Sequence, residues 1–268
     1  MVSTADRMLG QARADLPFAR DEVLRQLGYR PGRTRPSPSS LEQVADGMRQ
    51  ATGLLQPLLL QADAALECRG PEDALGVPEL GLRWRSPALT RVLAGAERVT
   101  LFAGTVGGAV GDAVREAFAA GCYARAVVLD ACGTSAVAAL GERVLAEAGG
   151  RAASAGFRLT APYSPGYQDW DLADTAALLR ALEARRIGLL ASDAHYLVPE
   201  KSLCGVVGWV RGRQDRTQAS GCAICFLPGC RYRRTPPVGP PGVLLPLGAA
   251  RGPKPASDGS DGSCPSQR

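Results

Sequence analysis

The run Val99-Thr100-Leu101-Phe102-Ala103, broken by glycines from Gly104 to Gly108 and followed by Val110, Val114 and Phe118, constrains the fold most. Consecutive β-branched and aromatic residues favour an extended strand. The glycines end it, and apolar residues four apart then mark one face of a helix. A strand that turns straight into a helix is open to both doubly wound and α+β folds. The rest of the chain decides between them: its strands and helices do not alternate strictly, which points to α+β.

The front of the chain is helical. Asp21 to Leu27 reads as a short helix stopped by Gly28. Arg30 to Ser40 is a Pro/Ser linker, and Ser40 with Gln43 forms a capping box. Leu41, Val44, Met48 and Leu55 then line one side of a helix that ends before Pro57. Further on, Val137, Leu140, Val144 and Leu145 give a second long stripe, closed by Gly149-Gly150. Gly156 to Pro162 is extended, and Asp171 caps a helix carrying Leu172, Ala176, Leu179 and Leu182. Ile187 to Ala191 and Gly205 to Val210 read as strands. The expected organisation is a helical N-terminal region over 1–60, an α+β core over 61–234, and a disordered Pro/Gly/Ser-rich tail over 235–268.

Several function classes fall away on composition. The 46% hydrophobic content and net charge of +5 are those of a soluble globular chain. No run approaches the roughly 18 apolar residues of a membrane helix, and MVSTADRMLG has no apolar signal core, so a cytoplasmic location without a membrane partner is expected. Eight cysteines there read as thiols or metal ligands rather than a disulfide framework. The single histidine excludes an HExxH zinc helix. Asp193-x-His195 resembles the start of a cobalt-ligating Asp-x-His-x-x-Gly motif, but Val198 stands where glycine is required. His195 is therefore expected in a strand or loop, partly buried.

The glycine loop after Ala103 invites a nucleotide reading, with Asp130 at the distance of a ribose-binding acid. Its spacing, Gly104-x-x-Gly107-Gly108-x-x-Gly111, is not G-x-G-x-x-G, and no P-loop lysine follows. Cys222-x2-Cys225-x4-Cys230 carries stronger chemistry, since closely spaced thiolates suit zinc or an iron–sulfur cluster, with Cys204 or Cys264 as a fourth ligand. Free thiols with their pKa lowered by nearby arginines are the plainer alternative. Arg211, Arg213, Arg216, Arg231, Arg233 and Arg234 flank the cluster. They read as solubilising residues, and no nucleic-acid partner is expected. Cys68, Cys122 and Cys132 fall in helix or strand patterns and are expected in the core.

Tyr163-Ser164-Pro165-Gly166-Tyr167-Gln168-Asp169-Trp170 sets a Pro-Gly turn among three aromatic residues. The plain reading is an aromatic-capped turn. The functional one is a ligand loop, in which glycine admits close approach to the backbone and a ring covers the ligand.

Taken in order, several blocks resemble the activation (reactivation) domain of cobalamin-dependent methionine synthase, in its free-standing bacterial form. They are Glu22-Val23-Leu24-Arg25 with Leu27-Gly28-Tyr29, Val99 to Gly104, and Leu129-Asp130-Ala131 with Gly133. Tyr163 to Tyr167 with Asp169-Trp170, Pro199-Glu200-Lys201-Ser202 with Gly205, and the closing cysteine cluster complete the set, over roughly residues 17–234. The resemblance implies a twisted, mainly antiparallel sheet flanked by helices. It also implies a methyltransferase-type module that holds S-adenosylmethionine over the cobalamin of a partner methionine synthase chain while a flavodoxin-like donor supplies an electron. Methionine synthase activity would then exist only together with the partner domains. Ser164, Pro165 and Gly166 would bind the cofactor, and Tyr167 would both bind it and act at the reacting face.

Two positions depart from the family pattern. Pro162 stands where the family has an arginine suited to the cofactor carboxylate, and Ala138 where it has an acid. Arg158 and Glu142 are the nearby charges that could substitute. Losing two charged contacts is expected to weaken binding by on the order of several kcal/mol. A non-catalytic module that docks on a corrinoid protein without binding S-adenosylmethionine is therefore the alternative expectation.

Overall fold

The structure, a computed structural model, describes residues 6–8, 16, 18–30, 32–69 and 74–212. The tail over 235–268 and Cys222, Cys225, Cys230 and Cys264 lie outside the described residues.

Among the described residues, ten strands and six α-helices follow one another. Strand β1 (Asp6–Met8) precedes α1 (Arg20–Gln26) and α2 (Pro38–Leu54). Then come β2 (Leu58–Ala65), β3 (Glu67–Arg69), β4 (Ala74–Val77), β5 (Leu82–Arg85) and α3 (Pro87–Val92). Strand β6 (Ala96–Thr105) leads into α4 (Ala109–Ala119), α5 (Tyr123–Ser154) and β7 (Phe157–Leu159). The chain continues through α6 (Asp174–Ala181), β8 (Leu190–Ala191), β9 (Leu197–Val198) and β10 (Ser202–Arg211).

The main sheet has the order β1-β2-β6-β10-β7, with every neighbouring pair antiparallel. Strand β6 is its middle, buried from Val99 to Thr105. Side chains alternate across a strand, so β6 serves two cores. Leu101 and Ala103 join Leu60, Val206, Trp84, Leu89, Trp170 and Leu178 on one face, beneath α3, α6 and the small β3-β4-β5 sheet. Phe102 joins Leu59, Val23, Val44, Val110, Leu129 and Leu140 on the other, beneath α1, α2, α4 and α5.

A polar chain crosses that second face. Arg151 of α5 grips Asp63 of β2 through two bonds, Nε at 2.7 Å and a terminal nitrogen at 3.0 Å. Thr100 donates to the same carboxylate at 2.6 Å, and the Trp209 indole donates to Thr100 at 2.8 Å. Arg151 also reaches Gln61 at 2.9 Å, which donates to Glu147 at 2.6 Å. A buried charge keeps its place only when paired and hydrogen-bonded. This chain meets that condition across α5, β2, β6 and β10.

Several sequence expectations change. The cap of α2 is Ser37, whose hydroxyl accepts from the Ser40 N–H at 3.1 Å, so the helix starts at Pro38 and shortens the linker. Helix α5 does not stop at Gly149-Gly150. It runs 32 residues to Ser154, and Gly156 at φ +80° follows its end. Tertiary packing overrides the ~1 kcal/mol per residue that glycine costs in a helix. By length and mean composition it could cross a membrane, although Asp130 and Glu142 keep it short of the uninterrupted apolar run of roughly 18 residues that such a helix needs. Here its Leu129, Ala136, Leu140 and Val144 are core residues. Phe118, expected on the inner face of α4, is 45% exposed. Of the cysteines expected in the core, Cys132 is buried and Cys122 is exposed. Ile187 ends a short 3-10 helix over Ala184–Ile187 rather than opening a strand, because Glu183 and Gly188 both adopt left-handed conformations around it. Only Leu190–Ala191 of that segment is extended.

Gly47 of α2 faces Val128 of α5 so closely that a Cβ there would overlap Val128 Cγ1. On an open helix Gly→Ala would add about 1 kcal/mol of stability. At this crossing the sign reverses: Gly47→Ala is expected to lower stability by about 1–3 kcal/mol through overpacking. Denaturant midpoints of the two proteins check it.

Candidate functional site

The aromatic loop is built on β10. After β7 the chain reaches Tyr163, which exchanges two backbone bonds with Val206, at 2.9 and 2.8 Å. The Ser164 hydroxyl donates to the Cys204 carbonyl at 2.7 Å. Gly205 lies between these two anchor points. A Cβ on it would collide with the Tyr163 carbonyl and would stand 2.8 Å from Phe102 Cζ and 2.9 Å from Ser164 Oγ. The loop therefore seats on bare backbone, and only glycine permits the approach.

From there the chain turns. Gly166 takes φ +86°, and its N–H donates to the Trp170 carbonyl at 2.8 Å. Tyr167 N–H donates to the Ser164 carbonyl at 3.2 Å, and the Tyr163 hydroxyl donates to the Tyr167 carbonyl at 3.3 Å. Both turn N–H groups are thus committed inside the loop. Gly166 offers a ligand no free donor, and a Cβ on it would stand 3.1 Å from Leu172 Cδ1, so the side left bare faces Leu172. Gly166 and Tyr167 are exposed while Pro165 is buried, so the tip of the turn projects and its base is fixed.

The rings form a ladder from core to surface. Trp84 meets Trp170 edge-on at 5.4 Å, and Trp170 stacks on Tyr163 at 6.1 Å with planes 4° apart. Tyr163 then meets Tyr167 edge-on at 5.7 Å. Trp84 and Trp170 are fully buried, whereas Tyr167 is 59% exposed. Such pairs contribute about 0.5–1.5 kcal/mol each beyond burial, and they hold the exposed ring on a rigid base. The Trp170 indole donates to Asp174 at 2.9 Å, and burial raises that carboxyl above its ordinary range. Asp171 was expected to cap this helix. Its side chain instead accepts from the Ala173 N–H at 2.9 Å, and α6 begins at Asp174.

Asp169 has a role the sequence reading missed. Its carboxylate accepts from the Ser86 hydroxyl and from the Ala88 N–H at 3.1 and 3.2 Å. An acid at a helix N-terminus complements unsatisfied donors there. Asp169 thereby staples α3 to the loop, and Ser86-Pro87 was the readable signal of that helix start.

A second junction joins two other blocks. Lys201, leading into β10, pairs with Asp130 of α5 at 2.7 Å and donates to Thr134 at 3.0 Å. Its stem crosses Gly133, where a Cβ would stand 3.3 Å from Lys201 Cδ and Cε. Asp130 is thus an ion-pair partner. His195 sits in the β8–β9 turn at φ +64°, half-buried.

The charges around the loop are Asp169, Asp171 and Asp174, with Arg91 close enough to act on Tyr163. Pro162 and Ala138 are half-buried and carry none. Arg158 lies in β7 opposite Val210, four registers along β10 from the Tyr163 bridge. Glu142 is exposed, one helical turn beyond Ala138. Burial pushes the Cys132 and Cys204 thiols up to about 12, which leaves them protonated and unreactive at neutral pH. Among the described residues no group of three or more His, Cys, Asp or Glu could hold a metal ion.

These features define an α+β protein with an antiparallel sheet between helices on one face and an aromatic loop, short helices and a small sheet on the other. No family model matches the chain, and no curated protein sequence matches it significantly. Among solved structures, it is similar to the crystal structure of the MetH reactivation domain bound to AdoHcy. The TM-score is 0.51 at 11% identity, over 80% of this chain and 81% of that one. The chain has that fold.

Burial pushes the Tyr163 phenol up to about 12; Asp169 adds to the shift and Arg91 opposes it. The ordinary value is 10.0, so the stabilisation is complete below pH 10 and is lost as pH rises from 10 towards 12. Wild type is expected to lose stability over that window more steeply than Tyr163→Phe. Denaturation midpoints measured from about pH 8 to about pH 12, about two units either side of an ordinary phenol, check it.

Proposed function

We propose that the chain is a reactivation module for cobalamin-dependent methionine synthase, presenting S-adenosylmethionine for reductive methylation of cob(II)alamin carried by a separate chain. The reading rests on one observation: the Tyr163–Tyr167 loop, anchored on β10, lies within the fold of a reactivation domain whose crystal structure contains AdoHcy. The resemblance of the ordered sequence blocks to the same domain agrees with it.

S-adenosylmethionine would supply an electrophilic methyl group, its S–CH3 bond breaking to release AdoHcy, and one electron from a flavodoxin-like donor would balance the transfer to the partner's cob(II)alamin. The protein's share is placement and exclusion of water, not proton transfer. The loop suits that share. Ser164 and Pro165 shape its base, Gly166 offers its exposed backbone to the cofactor, and Tyr167 presents a ring at the reacting face. Acid–base chemistry is not required, and the loop from Ser164 to Tyr167 carries no carboxylate, amine or imidazole. The module works in the cytoplasm and makes methionine only with its partner. Cys222, Cys225 and Cys230 would hold zinc or an iron–sulfur cluster, which metal analysis of the purified chain tests.

A second reading has its own observation. Pro162 and Ala138 offer no charge where the resemblance has an arginine and an acid, which favours a non-catalytic module that docks on a corrinoid protein without the cofactor.

Calorimetric titration with S-adenosylmethionine and AdoHcy, together with rescue of a cob(II)alamin-inactivated synthase, separates the readings. Binding and rescue are expected. Retention of the corrinoid protein in a pull-down, with neither binding nor rescue, would select the docking module. Absence of all three would sink both. Gly166→Ala forces a left-handed alanine at about 1–2 kcal/mol and sets its Cβ 3.1 Å from Leu172 Cδ1, so the free turn is expected to relax away from this geometry and AdoHcy to weaken by up to about tenfold. Tyr167→Ala is expected to lower rescue by at least about tenfold while changing AdoHcy affinity less, the pattern of lost placement.

A further inference from the structure

We infer that Ser164 is a positioning residue rather than a ligand contact: it braces the loop against the Cys204 carbonyl and so fixes where Gly166 and Tyr167 stand. The inference rests on the reading of this loop as the S-adenosylmethionine site, but its geometry is independent of any ligand. The Ser164 hydroxyl has one proton, and that proton is directed to the Cys204 carbonyl at 2.7 Å. The side chain therefore points into the fold, beside the bare Cα of Gly205, where a Cβ would stand 2.9 Å from Ser164 Oγ.

What the brace holds follows from the next bonds in the chain. The Ser164 carbonyl accepts from Tyr167 N–H at 3.2 Å, so a shift of Ser164 moves the residue that carries the exposed ring. Gly166 N–H is closed onto Trp170 at 2.8 Å, and Trp170 is fixed in turn by stacking on Tyr163 and by its bond to Asp174. The Tyr163 hydroxyl secures the Tyr167 carbonyl from the other side at 3.3 Å. The turn is thus tied at its core end by backbone pairing and rings. At the end nearest Gly166 and Tyr167, the Ser164 hydroxyl is the side-chain tie to β10. Removing it leaves the Tyr163–Val206 pairing and the aromatic ladder in place, so the loss is confined to the turn.

The test compares wild type with Ser164→Ala in the full chain. Amide hydrogen exchange of Gly166 and Tyr167 is measured without ligand, and AdoHcy affinity by calorimetry. Exchange at these two amides is expected to rise by about tenfold with protection in β2, β6 and β10 unchanged, as a local opening would give, and AdoHcy affinity to fall by about fivefold. Unchanged exchange with weakened AdoHcy would overturn the inference, since Ser164 would then be a direct contact. Unchanged exchange with unchanged affinity, or loss of protection throughout the sheet, would overturn it as well. If wild type binds no AdoHcy, the cofactor reading falls, while the exchange result still decides whether Ser164 positions Tyr167.

Discussion

The pairing of Arg151 with Asp63 is the interaction on which the arrangement of this molecule turns. Helix α5 is 32 residues long, about 48 Å at 1.5 Å per residue, and lies against one face of the sheet. Apolar packing alone is non-directional and would let such a rod slide or rotate. A guanidinium held at 2.7 and 3.0 Å by one carboxylate sets its position, because the fork geometry accepts few orientations. The carboxylate is in turn held by Thr100, and Thr100 by Trp209, so the constraint reaches three strands. A pair of this kind adds little net stability over an apolar substitute, but breaking one half leaves a buried charge. Its contribution is register. With α5 placed, Asp130 and Gly133 meet Lys201 near the start of β10, and β10 carries the loop.

Much of the fold was readable where local pattern and tertiary role agree. Val99 to Ala103 is a strand in the sequence and the central strand in the structure, since β-branched and aromatic residues are also what two cores require there. The α1 helix and its Gly28 stop are equally local. The failures share one cause. Gly149-Gly150 reads as a helix end when propensity is considered alone, yet the surrounding α5 is core and the helix continues through both. Ser40 matched a capping box, but Ser37 before Pro38 is the better cap, with the proline ring already set for the first helical position. Ile187 looked like a strand residue until Glu183 and Gly188 bent the chain on either side of it.

The site divides in the same way. Gly166 and the Pro-Gly turn were legible because positive φ has a residue signature. Gly205 was visible as one member of a block, but its physical task was not. That task depends on a backbone carbonyl about forty residues away, which no local pattern encodes. Asp169 shows the same limit: the donors to its carboxylate lie at Ser86 and Ala88, and only the folded chain brings them to it.

From Ser164 to Tyr167 the loop combines rigidity with an absence of charge. Its N–H groups at Gly166 and Tyr167 are spent within the turn, its hydroxyls at Ser164 and Tyr163 face inward, and Pro162 and Ala138 are neutral. A site that gains its affinity from charged contacts would be built otherwise, with a guanidinium or carboxylate aimed at the ligand. What these residues supply is shape: a projecting turn, a bare glycine and one exposed ring on a stacked aromatic base. Shape without charge contributes more to orientation than to affinity, because packing contacts are individually weak while a fixed geometry removes the entropy of alignment. On the proposed reading, a module that places a methyl group against an acceptor on another protein needs that orientation. It can tolerate weak affinity if the partner completes the enclosure, since a ligand buried between two surfaces draws contacts from both.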